Sequence, residues 1–376
     1  MTAVRKVLVI GGGAAGAAAA ILLAESGVSV DLVEVKESPT ALGSGITLQG
    51  NALRVFRQLG VWEAVRDAGY PTDLFGIRAP DPAGTLLMEA ETERTGGPDL
   101  PSGMGMSRPV LARILLDRAR DAGAKLHFGT TPTAFDQDED GVDVTLSDGT
   151  TGRYDLVVGA DGIRSWTRRA LGIELETRSV GMGIWRAFIQ RPASITHTEM
   201  IYGGPCYIAG FCPTGEDSMY AYLVEDAQDR WTLAPEEQLA TVRALAEHYH
   251  GPWDEIRPLI TDAAQLNYTW FETHVLPAPW NRGRIVLIGD AAHTCPPTLA
   301  QGAAQALEDA AVLAELLLAA DRLDDTLWDA FHERRIARAT TVVDASNQIA
   351  AWHLAHEQGD MAALSARISE LISRPA

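Results

Sequence analysis

One stretch, VLVIGGGAAGAAAAILLAESG (residues 7–27), constrains this chain more than any other. It follows Arg5 and Lys6, carries no charge from Val7 to Ala24, and admits three readings: a secretory signal, a membrane helix, or the opening of a nucleotide-binding fold. Glycines concentrated at Gly11, Gly12, Gly13 and Gly16 argue against the first two. Read instead as alternating elements, KVLVI is a buried strand, the glycines a turn, AAGAAAAILLAESG a helix, and VSVDLVE a second strand ending in Glu34. This is a βαβ unit. Gly11, Gly13 and Gly16 fit GxGxxG, in which the first glycine permits the tight turn, the second lets backbone N–H groups approach a pyrophosphate, and the third lets helix and strand pack closely. Glu34 falls about twenty residues on, where a carboxylate accepts from a ribose hydroxyl. Ala14 and Ala15, which open the helix, and Lys36 beside the acid complete the expected dinucleotide-binding set.

The charge balance narrows the partners. With 31 Lys and Arg against 50 Asp and Glu, the net charge of −19 works against nucleic acid and anionic membrane. A small molecule is the expected partner. Cys206, Cys212 and Cys295 form neither a CxxC nor a metal-binding spacing, so free thiols in a reducing cytoplasm are expected, with no metal. No run after the first stretch is long and apolar enough to span a bilayer. A length of 376 residues suggests two domains or one domain with a large insertion, and a monomer or homodimer is expected.

Two distant segments extend the pattern. DLVVGADGIRSWTRRALG (155–172) is a strand running into Gly159, Asp161 and Gly162, and GRIVLIGDAAHTCPPTLAQGAAQALEDAAVLAELL (283–317) is a strand, a turn and a long helix. Either could be an ordinary turn or cap. Both nevertheless put a carboxylate at the carboxyl end of a strand, where α/β sheets bind ligands.

With these three ordered motifs, GxGxxG, DG and GD, nearly the whole chain resembles the class A flavoprotein aromatic monooxygenases, the para-hydroxybenzoate hydroxylase family with its nicotinate-type, salicylate and phenol hydroxylases. The resemblance implies FAD, with NADH or NADPH as electron donor and O2 as co-substrate. It assigns Glu34 to the adenosine ribose, Arg108 of MSRPVLARILL to a flavin contact, Asp161 to the pyrophosphate and nicotinamide use, and Asp290 to the ribitol chain. Backbone N–H groups around Gly302, Ala303 and Ala304 open a helix and would face the negative edge of reduced flavin. Many members carry Asn where this chain has Ala304, so backbone contacts alone would serve there. The implied cycle passes through a C4a-hydroperoxyflavin that transfers its distal oxygen to an electron-rich aromatic carbon.

The expected fold is α/β: a Rossmann-like FAD-binding domain of glutathione-reductase type, interleaved with an antiparallel-sheet substrate domain and a helical C-terminus. The FAD domain would comprise 1–72, 102–177 and 275–340, the substrate domain 73–101 and 178–274, with C-terminal helices over 341–376. Alternation in GMGIWRAFIQ, EMIYGGPCYIAGFCP and SMYAYLVE supports the antiparallel sheet.

For the substrate end, Pro297 and Thr298 of CPPT and Gly45 and Thr47 of LGSGITLQGN (42–51) resemble loops on either side of the flavin ring. Nicotinate-type relatives can carry His near the two threonine positions, so the general base stays open here. Tyr207 and Phe211, on one face of CYIAGF, and Tyr222 are expected substrate contacts, although strand aromatics are core more often than ligand contacts. Arg186 could hold a carboxylate but reads as structural, as does His293. A same-fold epoxidase, a monooxygenase of larger natural products or antibiotics, and a non-catalytic FAD- or ligand-binding protein stay open as alternatives.

Overall fold

The computed structural model describes residues 2–38 and 45–376. A six-stranded sheet forms its centre, in the order Asn281–Arg282, Ile285–Leu287, Leu156–Gly159, Lys6–Ile10, Ser29–Glu34 and Lys125–Phe128. All neighbours are parallel except the short edge strand 281–282. The three central strands, 6–10, 156–159 and 285–287, are buried on both faces, which is why they read as runs of Val, Ile and Leu. This register sets the carboxyl ends of three strands side by side, at Ile10, Gly159 and Leu287. The turns carrying GxGxxG, DG and GD all leave from that edge.

The glycine turn runs into helix Ala14–Glu25, which packs against helices Gly302–Ala319 and Arg108–Asp121. Ala17, Ala18, Ala19 and Ala20 are completely or almost completely buried. A helix enclosed on all sides has no polar face to show, and its alanines allow close helix approach. The uncharged run that mimics a membrane segment is therefore a core helix. Among the described residues, no helix is long and apolar enough to cross a membrane.

An eight-stranded sheet stands beside this unit, in the order His293–Thr294, Leu266–Val275, Arg178–Gln190, Ser218–Asp226, Ile208–Pro213, Thr198–Tyr202, Leu74–Arg78 and Leu86–Glu91. Only the pairing of 198–202 with 74–78 is parallel. One face buries Trp185, Phe211 and Leu223 with Val242 and Ala246 of helix Pro235–Ala246. The other buries Met182, Ile184 and Tyr222 with Ala350 near the end of helix Asp325–Leu354. A small sheet of Gly45–Gln49, Gly103–Ser107 and Tyr70–Thr72 meets this second face.

The α/β class with an antiparallel sheet and a helical C-terminus is as the sequence indicates. The boundary placed at 340/341 is corrected: helix Asp325–Leu354 runs unbroken through it. No proline or glycine interrupts those thirty residues, so nothing physical divides the chain there.

Candidate cofactor and substrate site

The nucleotide end is built by backbone. Gly11 sits at φ +104°, and a Cβ there would lie 2.4 Å from the Ala160 carbonyl oxygen of the DG turn. A Cβ on Gly16 would lie 2.0 Å from the Gly11 carbonyl, so helix and turn can touch only through glycine. Gly13 differs: it is the N-cap of helix Ala14–Glu25, has no side chain to cap it, and a Cβ there would meet nothing within 4 Å. The first turn contains no acid. Glu34 turns back onto this loop, accepting from Gly12 N–H at 2.8 Å and from Lys36 N–H at 3.0 Å. The resulting cradle has bare helix N–H groups at its centre and a fixed carboxylate at its rim, which fits a pyrophosphate and a ribose.

Helix Gly302–Ala319 repeats the device. Its N-terminus also lacks a side-chain cap and a first-turn acid, and Gly302 has open space at the Cβ position. Ala303 is half-buried and Ala304 is buried in the core, so peptide groups are what this turn can offer a ligand. The GD turn lies beneath. Asp290 is open to solvent in a recess walled by the rest of the chain; that enclosure raises its carboxyl pKa, opposed by His293 and Arg108 and reinforced by Asp309. His274 braces the turn from behind. Burial first, then Arg168 and His293, lower its pKa to about 4, so it is neutral at pH 7. Its Nε2–H then donates to the Asp290 carbonyl at 3.1 Å, while Nδ1 accepts from the Thr177 hydroxyl at 3.2 Å.

A buried polar network anchors both turns. Asp309 accepts from Gly289 N–H at 2.8 Å, His293 Nε2–H at 2.7 Å and Arg335 Nε–H at 2.7 Å. Glu308 accepts two bonds from Arg338, at 2.8 and 2.7 Å, and one each from Arg335 and Asn51. Sequence reading placed His293 as structural and passed over the rest. Gln301, Gln305 and Glu308, three to four residues apart, with Asp309 beside them, put polar side chains into the alanine- and leucine-rich start of this helix; that stripe is the available signal.

The expected substrate end lies where the small sheet meets the eight-stranded one. The Thr47 hydroxyl is 2.8 Å from the Tyr220 hydroxyl and 3.6 Å from Cys212 Sγ. Burial keeps the phenols of Tyr220 and Tyr222 neutral by raising both pKa values. Arg186 donates to Thr269 Oγ1 at 2.8 Å, and Arg108 donates through Nε to the Gly45 carbonyl at 3.1 Å. Burial first, then Arg108, lower the Arg186 pKa to about 10, which leaves it cationic at pH 7. Neither guanidinium has a carboxylate partner among the described residues.

Several expected site residues are placed differently. Phe211 is on the opposite face of the sheet, 1 % exposed in the core under helix Pro235–Ala246, and is not on the Thr47 side. Tyr207 precedes the strand, at a bend, and its hydroxyl donates to Asp226 at the sheet's end. Thr298 spends its hydroxyl on the Ser346 carbonyl, 2.9 Å away, which ties the loop to helix Asp325–Leu354. Pro297 is exposed in the same turn. Asp161 accepts from Ser165, from Thr167 N–H and from the Thr167 hydroxyl, so its carboxylate organises its own loop. At Gly45 the close neighbour is the Tyr220 ring, 2.1 Å from a would-be Cβ, so the missing side chain serves the junction with the substrate sheet. Residues 42–44 of the same motif lie outside the described residues.

These placements give a first prediction. Asp290→Ala should purify depleted of FAD, and Glu34→Ala should weaken FAD by roughly tenfold or more, the value of one charge-assisted hydrogen bond. Flavin absorbance per mole of protein and titration of the apoprotein check both. Full flavin content in Asp290→Ala would remove Asp290 from the site.

Similarity to known proteins agrees with the geometry. The FAD binding domain family matches residues 5–346. The chain is 34% identical over 317 residues to 2-heptyl-3-hydroxy-4(1H)-quinolone synthase of Pseudomonas aeruginosa, covering 84% of this chain and 80% of the relative. It is 31% identical over 355 residues to aurachin C monooxygenase/isomerase of Stigmatella aurantiaca, covering 92% and 90%. Among solved structures, 2-methyl-3-hydroxypyridine-5-carboxylic acid oxygenase superposes with a TM-score of 0.82 at 26% identity, covering 99% of this chain and 98% of that one. Three strand ends, two bare helix N-termini and a recessed carboxylate thus coincide with a family match across most of the sequence: the chain belongs to the class A FAD-dependent aromatic monooxygenases.

Proposed function

We propose that this enzyme hydroxylates a phenolic or N-heteroaromatic ring bound through an ionised oxygen, with NADH or NADPH as electron donor and O2 as oxygen source. The observation that carries the reading is the pair Arg186 and Arg108, two cations in ion-pair contact with no carboxylate among the described residues, close to Tyr220, with Tyr222 beside Arg186 and Thr47 bonded to Tyr220. Uncompensated guanidinium groups beside neutral hydroxyls favour an anionic ligand, and a hydroxyl on an electron-poor heteroaromatic ring is acidic enough to be one. The relatives named for a hydroxyquinolone and a hydroxypyridine carboxylic acid support this ring class.

The Gly11–Gly16 turn, Glu34, Asp290 and the Gly302 helix end would hold FAD, which would supply the hydride acceptor and the oxygen-activating centre. The chain's own part is positional. Arg186 fixes the ring oxygen, the buried face of the sheet excludes water, and Tyr220 can donate to Thr47 while Thr47 donates to the Cys212 sulfur. In the opposite direction, with Thr47 donating to Tyr220, the neutral Tyr220 O–H is left free to donate to the ring oxygen.

The test is NADH and NADPH oxidation across hydroxylated quinolines, pyridines and benzoates, with O2 uptake and product mass followed together. Stimulated oxidation with a product sixteen mass units heavier supports the reading. Arg186→Met should then raise KM for the active ring by about 10- to 100-fold, as expected for losing a hydrogen bond to a charged group. Basal oxidation with every ring and both nucleotides would overturn the ring class, and an unchanged KM in Arg186→Met would overturn the anchor.

A further inference from the structure

The outer edge of the eight-stranded sheet carries a cluster of side chains that the cofactor and substrate ends leave unused. Strand Leu86–Glu91 is exposed at every residue and pairs with Leu74–Arg78, its one neighbour in the sheet. Registry sets Glu89 opposite Gly76 and Gly76 opposite Glu199. Directly paired residues point to the same face, so both glutamates share the face of Phe211, which pairs with Glu199 and lies away from Thr47. Gly76 lets them meet. A Cβ there would lie 2.8 Å from Glu199 Cγ, so the Glu199 side chain lies over the glycine. His197, two residues before Glu199, brings its ring to the same place: Nε2 is 3.2 Å from Glu89 Oε2 and 3.3 Å from Glu199 Oε1.

That nitrogen is the telling atom. His197 is 8 % exposed, and its Nε2 is buried without a hydrogen bond among the described residues, although two carboxylate oxygens are so near. Its Nδ1 is 3.2 Å from the Thr196 hydroxyl. With Nδ1–H donating to that hydroxyl, Nε2 turns a lone pair towards two carboxylates, an arrangement that a cation satisfies. The spacing suits one. Bonds of about 2.0–2.1 Å at tetrahedral angles put ligand atoms about 3.3–3.4 Å apart, close to both distances from Nε2. The three ligand atoms lie within 4.8 Å of one another, and Glu89, its side chain 43 % exposed, can close the remaining gap by rotation. Arg78 is the competing charge. It donates through Nε to Glu199 Oε2 and through Nη2 to Oε1 at 3.2 Å, while Nη1 donates to the Gly84 carbonyl at 2.8 Å. The guanidinium thereby fixes the Glu199 carboxylate and leaves Oε1 a second lone pair, and two carboxylates against one guanidinium keep the cluster negative.

We propose that Glu89, His197 and Glu199 bind a divalent ion of the zinc type, through one nitrogen and two oxygens, with water in the fourth position. The inference is independent of the ring-hydroxylase reading, because the ion lies on the sheet face away from Thr47. Its part is structural. It ties strand Leu86–Glu91, which a single backbone ladder otherwise holds at the sheet edge, to the start of strand Thr198–Tyr202. Cysteine spacing gives no sign of such a site, since its ligands come from two strands that meet only across Gly76.

The experiment strips the FAD-loaded enzyme with EDTA, desalts it, and measures Zn2+ uptake by equilibrium dialysis and metal analysis. One Zn2+ per chain should bind at micromolar concentration, and hydrogen exchange over residues 74–91 should slow when it does. Glu89→Gln, at an exposed edge position, and His197→Ala should each weaken uptake by about tenfold or more while keeping full flavin content, which reports an intact fold. If His197→Ala loses flavin, Glu89→Gln decides alone. No uptake at about 0.1 mM Zn2+ overturns the proposal and leaves His197 as an imidazole paired with two carboxylates. Uptake that is unchanged in a folded variant overturns it too, as does bound Zn2+ that leaves exchange over 74–91 as it was.

Discussion

Asp309→Asn should destabilise the folded protein by roughly 3–5 kcal/mol, the range for removing one member of a buried ion pair. Asp309 and Arg335 are both fully buried, and Asp309 also holds Gly289 N–H and His293. An amide cannot accept three donors while matching a guanidinium charge, so Arg335 would keep its neutral partner Gln305 but have for its charge, among the described residues, only Glu308, which already serves Arg338. Acid should show the same network. Burial by itself would raise the Asp309 pKa, but His293 and Arg335 outweigh it and hold the group at about 2. A carboxyl lowered on folding contributes stability that is fully present above its unfolded pKa near 4 and is lost as pH falls towards 2. The shift amounts to about 2–3 kcal/mol. Glu308, lowered by Arg338 and Arg335 against its own burial, adds to the loss in the same direction. Wild-type stability should therefore drop steeply below pH 4, and Asp309→Asn should start lower and fall less. Denaturant midpoints at pH 7, 4 and 3 decide this; equal midpoints at pH 7 would mean that the network contributes nothing.

The parts of the structure that were legible in the sequence are those whose chemistry is local. Gly11 and Gly16 each meet a constraint within a few residues or at the adjoining strand, and Gly13 leaves the helix end between them bare, so their spacing alone announces the turn and the helix behind it. Asp290 and Glu34 end buried strands, and strand ends can be read from β-branched runs. Side-chain direction was less legible. Tyr207 and Phe211 share parity in the sequence, but the bend before Ile208 breaks the two-residue period, and Phe211 pairs instead with Glu199 and Ala221 on the far face. Thr298 shows the limit of motif transfer. Its position beside the ring loop says nothing about Ser346, forty-eight residues later, which takes its hydroxyl. The same holds for the network joining Asn51 to Glu308 across 257 positions. Both depend on strand order and helix docking, which a single sequence does not state.

Gly13→Asp should abolish FAD retention while leaving the apoprotein at least as stable as wild type. The two outcomes separate because Gly13 has room for a side chain and an ordinary backbone, with φ −74° and ψ −175°. Glycine is therefore not required at this position by the fold, unlike Gly11 at φ +104° or Gly16 against the Gly11 carbonyl. Aspartate is in fact a preferred N-cap, and here it would satisfy an N–H of helix Ala14–Glu25 that now has no side-chain partner. That gain is about 0.5–1 kcal/mol. The same carboxylate would occupy the helix end proposed for the pyrophosphate, replacing an attractive dipole with a negative charge. Two unit charges about 4 Å apart repel by about 4 kcal/mol at an effective dielectric constant near 20, which corresponds to roughly a thousandfold in affinity. Thermal unfolding of the apoprotein and FAD titration, run side by side, test the pair of expectations. Raised or unchanged apoprotein stability with at least a hundredfold weaker FAD assigns this N-terminus to the phosphates. FAD affinity within tenfold of wild type would show that the glycine turn serves the packing of strand and helix alone, and that the cofactor's charge is held elsewhere.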